Sequence, residues 1–213
     1  MKRTFHNLPD LKKQRVIQSS IEEFGIHGFE KGSTDRIVKG AAISKGGLYE
    51  YIESKEDLFL FAVDYTYCAL YNYIGDRLNK EERSLPGDIL ERFRLIASIA
   101  IDFYIDHPPM IAFIVKSNLL RDPVLIEKVR HIFLGKFEKL FSGMEDKNLA
   151  FALEDLIELL QWLLIKTRND FVYKLSVHPD SDRIRDEYIK QWDLYLRMLT
   201  SGVYKTNRDN NHL

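Results

Sequence analysis

Apolar residues return every three or four positions through most of this chain, and its prolines and most of its glycines fall between those runs rather than inside them. That spacing gathers the apolar set on one face of a helix, and no alternating run offers a half-buried strand. An all-α protein is therefore expected. The first run opens near Pro9 and carries Val16, Ile17, Ile21 and Phe24, with Gly25 as its expected cap and Gly28 and Gly32 in the loop beyond. A short helix follows behind Ser33, and another runs from Ser44 to Tyr51. Ser54 opens a long helix to about Leu78 in a near capping box, with Asp57 where Glu is usual. After the Leu85-Pro86-Gly87 turn, further helices are expected from Ile89 to about Tyr104, on toward Leu120, from Asp122 to Phe141, from Lys147 to Leu175 and from Asp182 to Tyr204.

Several function classes fall away at once. No segment approaches the roughly 18 apolar residues of a membrane-spanning helix, and the richest, Ile96 to Ile105, is interrupted by Ser98 and Asp102. A lone cysteine, Cys68, excludes an intrachain disulfide, and no secretory signal opens the chain, so a cytoplasmic protein without a membrane partner is expected. Gly40 to Gly46 places a glycine and Lys45 as a transposed P-loop with no Ser or Thr after it, and no strand precedes it. The six histidines and Cys68 show no metal-ligand spacing. Neither an enzyme, nor a cofactor, nor a metal site is expected.

Charge adds a direction. The chain totals −1, but residues 1–56 hold ten Lys and Arg against eight Asp and Glu, a balance of +2 that leaves −3 for the rest. The asymmetry points the N-terminal piece weakly toward an anionic partner.

Three short helices with a tight Ala41-Ala42-Ile43 turn between the second and third form a helix-turn-helix unit. The third is odd for a core helix. Gly46 and Gly47 each cost about 0.8–1.0 kcal/mol of helix propensity relative to Ala. Only Leu48 and Ile52 demand burial. Missing side chains allow a backbone to approach something closely, such as a DNA groove. Lys45 would bring positive charge there, and Tyr49 and Tyr51 hydroxyls for phosphates. A plain surface helix weakened by glycine fits the same residues.

The run from Ser33 to Leu58, with Ile17, Ile21, Phe24, Gly28 and Phe29 ahead of it, resembles the N-terminal region of the TetR family of transcriptional regulators. The likeness covers about the first quarter of the chain in fixed register. It implies an N-terminal three-helix DNA-binding domain over residues 1–53 and a helical ligand-binding and dimerisation domain over 54–205, while the polar composition of residues 206–213 points to a flexible tail. It also implies a double-stranded, palindromic DNA operator, a homodimer, and a small apolar or amphipathic effector that releases a repressor from its operator. Carried residue by residue, Ser33 caps the second helix near a phosphate, and Ser44, Lys45 and Gly46 open the recognition helix. Tyr49 and Tyr51 touch the backbone or steady that helix, and Lys55 meets a phosphate. Three residues depart from the family pattern. Ala42 replaces the turn glycine and would be strained in a left-handed conformation, Val38 replaces a small Ala, and Glu50 puts an acid on the recognition helix. A helical protein-interaction adaptor whose helix-turn-helix reads no DNA is the alternative.

Beyond residue 54 the chain is dense in aromatic residues. Most would fill a bundle core, while others would line an apolar cavity, for which Tyr65, Phe103, Phe113 and Trp162 are the candidates. Asn118, Gln161, Arg168 and Asn169 are polar groups able to orient a ligand head. The last two helices are apolar beyond one stripe, so they are expected to bury a second face in a dimer through Leu160, Leu164, Trp192, Tyr195, Leu196 and Leu199.

Overall fold

A computed structural model describes residues 1–144, 148–177 and 180–203. The described residues form no β-strand. Their helices are α1 (Arg3–His6), α2 (Asp10–Lys31), α3 (Thr34–Gly40), α4 (Lys45–Tyr49), α5 (Lys55–Lys80), α6 (Ile89–Asp106), α7 (Pro108–Ser117), α8 (Pro123–Phe141), α9 (Leu153–Val177) and α10 (Ser181–Val203). The expected tail over 206–213 and the expected helix start at Lys147 lie outside the described residues.

The chain divides into two compact units. One comprises residues 1–72 with 107–140, the other residues 73–106 with the described residues from 141 onward. The path therefore crosses from one unit to the other three times, first in the middle of α5.

In the first unit α2 packs on α3 and α7. Phe24, Phe59 and Phe113 are fully buried there, with Phe24 and Phe59 edge to face at 5.2 Å and Phe59 and Phe113 at 5.4 Å. Gly25 is not the cap expected of it. It lies inside α2, where a Cβ would come within 3.3 Å of the Phe113 backbone nitrogen and 3.4 Å of the Pro109 carbonyl. A bare α-carbon lets the α7 backbone cross α2 closely. The break falls instead at Gly28, whose φ of 71° and ψ of 177° suit glycine alone. The α1 turn, which the pattern of apolar residues does not announce, buries Phe5 against Phe61 and Tyr51 at 5.2 and 6.4 Å.

In the second unit α10 packs on α6 and α9. One stripe of α10 is buried, Ile184, Tyr188, Trp192 and Leu196, four residues apart throughout. Leu156, Leu160, Leu163 and Phe171 form the matching face of α9. The Asp102 carboxylate ties α6 to two neighbours, accepting from Arg77 at 2.9 Å and Arg185 at 2.7 Å. Helix α9 begins at Leu153, later than expected, with its first helical bond running from Leu156 N–H to the Ala152 carbonyl.

Candidate nucleic-acid interface

Helices α3 and α4 with the turn between them lie wholly in the first unit. The Ser19 hydroxyl on α2 donates to the Ile37 carbonyl at 2.9 Å, and Gly40 leaves room for Ser19 beside it. Ala41 is fully buried in the turn. Ala42 adopts φ of 53°, the left-handed conformation that its side chain makes costly. The strain is held in place by Ile43 N–H, which donates to the Val38 carbonyl at 3.0 Å. Val38 fits with 9% of its surface exposed.

Ser44 caps α4 as expected, its hydroxyl accepting from Gly47 N–H at 3.0 Å. Leu48 and Ile52 are fully buried and anchor the short helix. Its outer side carries Lys45 and Gly46, both exposed, and nothing stands within 4 Å of where a Gly46 Cβ would be. Lys45 Nζ pairs with Asp35 Oδ1 at 2.8 Å, and that carboxylate holds the ammonium pKa above its ordinary value. Tyr49 is 41% exposed, whereas Tyr51 is 7% exposed and takes a hydrogen bond from Lys12 Nζ to its hydroxyl at 3.1 Å. Of the two readings for Tyr51, the geometry favours steadying the helix. Glu50 is exposed at the C-cap, and Thr4 donates to its carbonyl.

Ser33 occupies the N-cap position of α3, but its side chain makes no capping bond. Its backbone N–H instead donates to Glu23 Oε1 at 2.8 Å, and Arg36 donates to the same carboxylate at 2.6 Å. Burial pushes the Glu23 carboxyl up, yet the Arg36 bond and the Ser33 N–H more than offset it and leave the pKa lowered. Lys55 turns inward as well. Its ammonium donates to the carbonyls of Phe29 at 2.9 Å and Gly32 at 3.3 Å, and lies 4.6 Å from the centre of the Phe29 ring. It closes the end of α2, which is a different task from the phosphate contact the resemblance implies. Lys12, Asp35 and Lys2, which donates to the Tyr49 carbonyl at 2.9 Å, were not foreseen. Each acts across a sequence gap that helical periodicity does not register.

The four candidate ligand residues are divided between the two units, two in each. Phe113 is fully buried in the core of the first unit. Tyr65, also in that unit, is 36% exposed and lines an open groove of about 440 Å³ with Leu11, Ile17 and Gln18. In the second unit Phe103 is buried beside Tyr73 at 5.5 Å, and Trp162 is 59% exposed. Of the expected dimer residues, Leu160, Trp192 and Leu196 are already covered within one chain, while Leu164, Tyr195 and Leu199 are half-buried. Among the described residues, the exposed large apolar side chains of α9 and α10 are Leu159, Trp162, Tyr173, Val177, Leu194 and Met198.

Residues 16–61, from inside α2 to the first turns of α5, match the family of bacterial regulatory proteins, tetR family. The uncharacterized HTH-type transcriptional regulator YerO of Bacillus subtilis (strain 168) is 26% identical over 193 residues, 85% of this chain and 63% of its own. The HTH-type transcriptional repressor NicS of Pseudomonas putida is 23% identical over 113 residues, 52% of this chain and 50% of its own. The chain thus spans less than two thirds of either relative. The crystal structure of the regulator FadR of Bacillus subtilis, in complex with stearoyl-CoA, shares the fold with a TM-score of 0.66 at 12% identity, over 84% of this chain and 96% of that one. Helices α3 and α4 and most of α2 fall inside the matched segment, and the described residues of both units are helical. Residues 16–61 thus carry the sequence pattern of the tetR family, and the helical fold is similar to that of solved regulators of that family.

Proposed function

We propose that this chain is a homodimeric DNA-binding repressor, released from a palindromic operator by a small apolar or amphipathic effector. The observation that carries the reading is the outer side of α4, where Lys45 is exposed and Gly46 is bare with open space beyond it. A helix held by Leu48 and Ile52 but stripped of side chains on its far side suits close approach to a major groove. Ser44, Lys45, Gly46 and Tyr49 would meet the DNA, with Tyr51 and Lys55 holding the elements that present them. The exposed apolar side chains Leu159 and Trp162 on α9 and Leu194 and Met198 on α10 support a second copy of this chain as partner, since apolar surface of this kind is commonly covered by association. Two copies would set two reading heads about 34 Å apart, one turn of DNA. NicS, a repressor, and FadR, seen with stearoyl-CoA, support the repressor and effector parts of the reading. Helix α5 belongs to both units, which makes it the element through which an effector would act on the reading head. The effector must prefer the DNA-incompetent arrangement, and a 100-fold preference is worth about 2.8 kcal/mol.

Fluorescence anisotropy with a duplex from upstream of this chain's own coding sequence tests the reading. Specific binding should exceed binding to random duplex by at least 10³-fold, with a log–log salt slope that scales with the phosphates neutralised. Equal, weak binding to both duplexes would favour an adaptor that reads no DNA.

A further inference from the structure

Arg168, on α9, is 4% exposed, and neither its Nε nor its Nη2 has a hydrogen-bond partner among the described residues. A guanidinium cannot shed its charge, and an arginine this deep is ordinarily held by a carboxylate or by carbonyls. Two more polar atoms nearby share its condition. The Tyr188 hydroxyl and the Trp192 Nε1, one turn apart on α10, are buried and without a partner of good geometry. Burial pushes the Tyr188 phenol up in pKa, and Thr167, Trp192 and the Arg168 charge draw it partly back, so the three surround that oxygen. Thr167 offers no acceptor in exchange that would neutralise a cation, and its own hydroxyl donates along α9 to the Leu163 carbonyl at 2.8 Å. The groups left over are two nitrogens of a cation, Nε and Nη2, with one indole N–H and one phenol. All can donate, and none is an anion. Around them lie Phe171, fully buried, with the Tyr188 ring 6.2 Å and the Tyr104 ring 5.9 Å from it.

We propose that Arg168, Tyr188 and Trp192 form a buried head-group site for a monocarboxylate whose apolar body lies against Phe171 and Tyr104. A carboxylate supplies two acceptor oxygens and the missing negative charge, and a planar pair of oxygens suits the guanidinium fork. The aromatic surroundings favour an acid with a hydrocarbon or aryl body over a small inorganic anion. The proposal deepens the reading of this chain as effector-controlled by giving the effector's chemical class, and it rests on that reading only for the consequence on DNA.

The test is isothermal titration calorimetry of the full chain with octanoate and benzoate, each beside its uncharged amide, octanamide and benzamide. At least one acid should bind ten-fold or more tightly than its amide. Arg168→Gln should erase that difference and leave affinity for random duplex DNA within two-fold. Arg168→Met keeps the volume and removes the buried charge, so without ligand it should melt at a higher temperature than the native chain. A lower melting temperature for that variant would show an arginine satisfied internally, and would overturn the site. Acids and amides binding equally, or not at all, would overturn it too. Octanoate or benzoate binding that leaves operator affinity unchanged would uphold the carboxylate site and overturn its part in releasing DNA.

Discussion

Lys45 Nζ lies 2.8 Å from Asp35 Oδ1, so the cation at the head of α4 is paired across the turn with the first turn of α3. Both side chains are more than half exposed, so the pair does little for stability. Its weight falls on DNA binding. Lys45→Ala should weaken operator binding by about 1–3 kcal/mol if the ammonium reaches a base edge. Asp35→Asn should act oppositely on random duplex, raising affinity a few-fold at low salt, because an acid leaves the DNA-facing side. Anisotropy titrations at two salt concentrations read both. Unchanged affinity in each variant would remove the pair from the interface.

Gly46 separates folding from function. Replacing it with Ala should raise stability by up to about 1 kcal/mol, since open space stands where the Cβ would go and alanine is the better helix former. The same methyl should weaken operator binding by obstructing close approach. Urea denaturation and anisotropy on one preparation compare the two. A variant that binds operator as tightly as the native chain would show that this backbone does not reach the groove.

Ala42 stores strain at φ of 53°. Ala42→Gly should stabilise the first unit by about 1 kcal/mol, because glycine adopts this conformation without penalty. Operator binding should persist, as the turn geometry is unchanged. A lower denaturation midpoint would contradict the strain.

The Glu23 carboxyl has its pKa lowered in the folded chain, so its contribution is full above the ordinary value of 4.5 and fades as pH falls through the folded value. Glu23→Gln should cost roughly 1–3 kcal/mol at neutral pH and flatten the loss of stability below about pH 4.5. Denaturation midpoints from pH 7 down to pH 3 measure both effects. Parallel curves for the two proteins would remove Glu23 from the acid transition.

The two tryptophans should part company. Trp162 is 59% exposed and Trp192 is 1% exposed. Trp162→Glu should split a dimer in sedimentation while the chain stays folded. Trp192→Ala should cost about 3–5 kcal/mol of stability through a core cavity. A Trp162→Glu chain that sediments as a dimer would place the contact between copies elsewhere.

Helix positions were legible because periodicity is a local property, and α5, α6, α8 and α10 lie within a few residues of where the spacing puts them. Gly25 was misread because a glycine looks the same whether the chain turns there or another helix crosses it. The crossing depends on Pro109 and Phe113, far along the sequence. The same limit explains the apolar faces of α9 and α10. Composition marks Trp162 and Trp192 alike, and only packing decides which of them looks inward. At the candidate interface, motif register located Ser44, Lys45 and Gly46, but the engagement of Lys55 with the α2 carbonyls arises from a fold-back between distant segments. Arg168 was visible as a polar residue in an apolar helix. Its lack of a partner became apparent only in three dimensions.

The threefold crossing of the chain between its units bears on how such a protein can be cut and recombined. A fragment ending near residue 53 would keep the α2–α4 motif yet lose α7, and with it Phe113 and the backbone that closes on Gly25. Grafting this reading head onto a foreign sensor would therefore mean transplanting residues 107–140 as well, stitched at three junctions rather than one. Recombination at a single breakpoint ahead of residue 107 separates Phe24 from Phe113, which gives lineages that diverge by exchange of whole segments a reason to keep residues 1–140 travelling together.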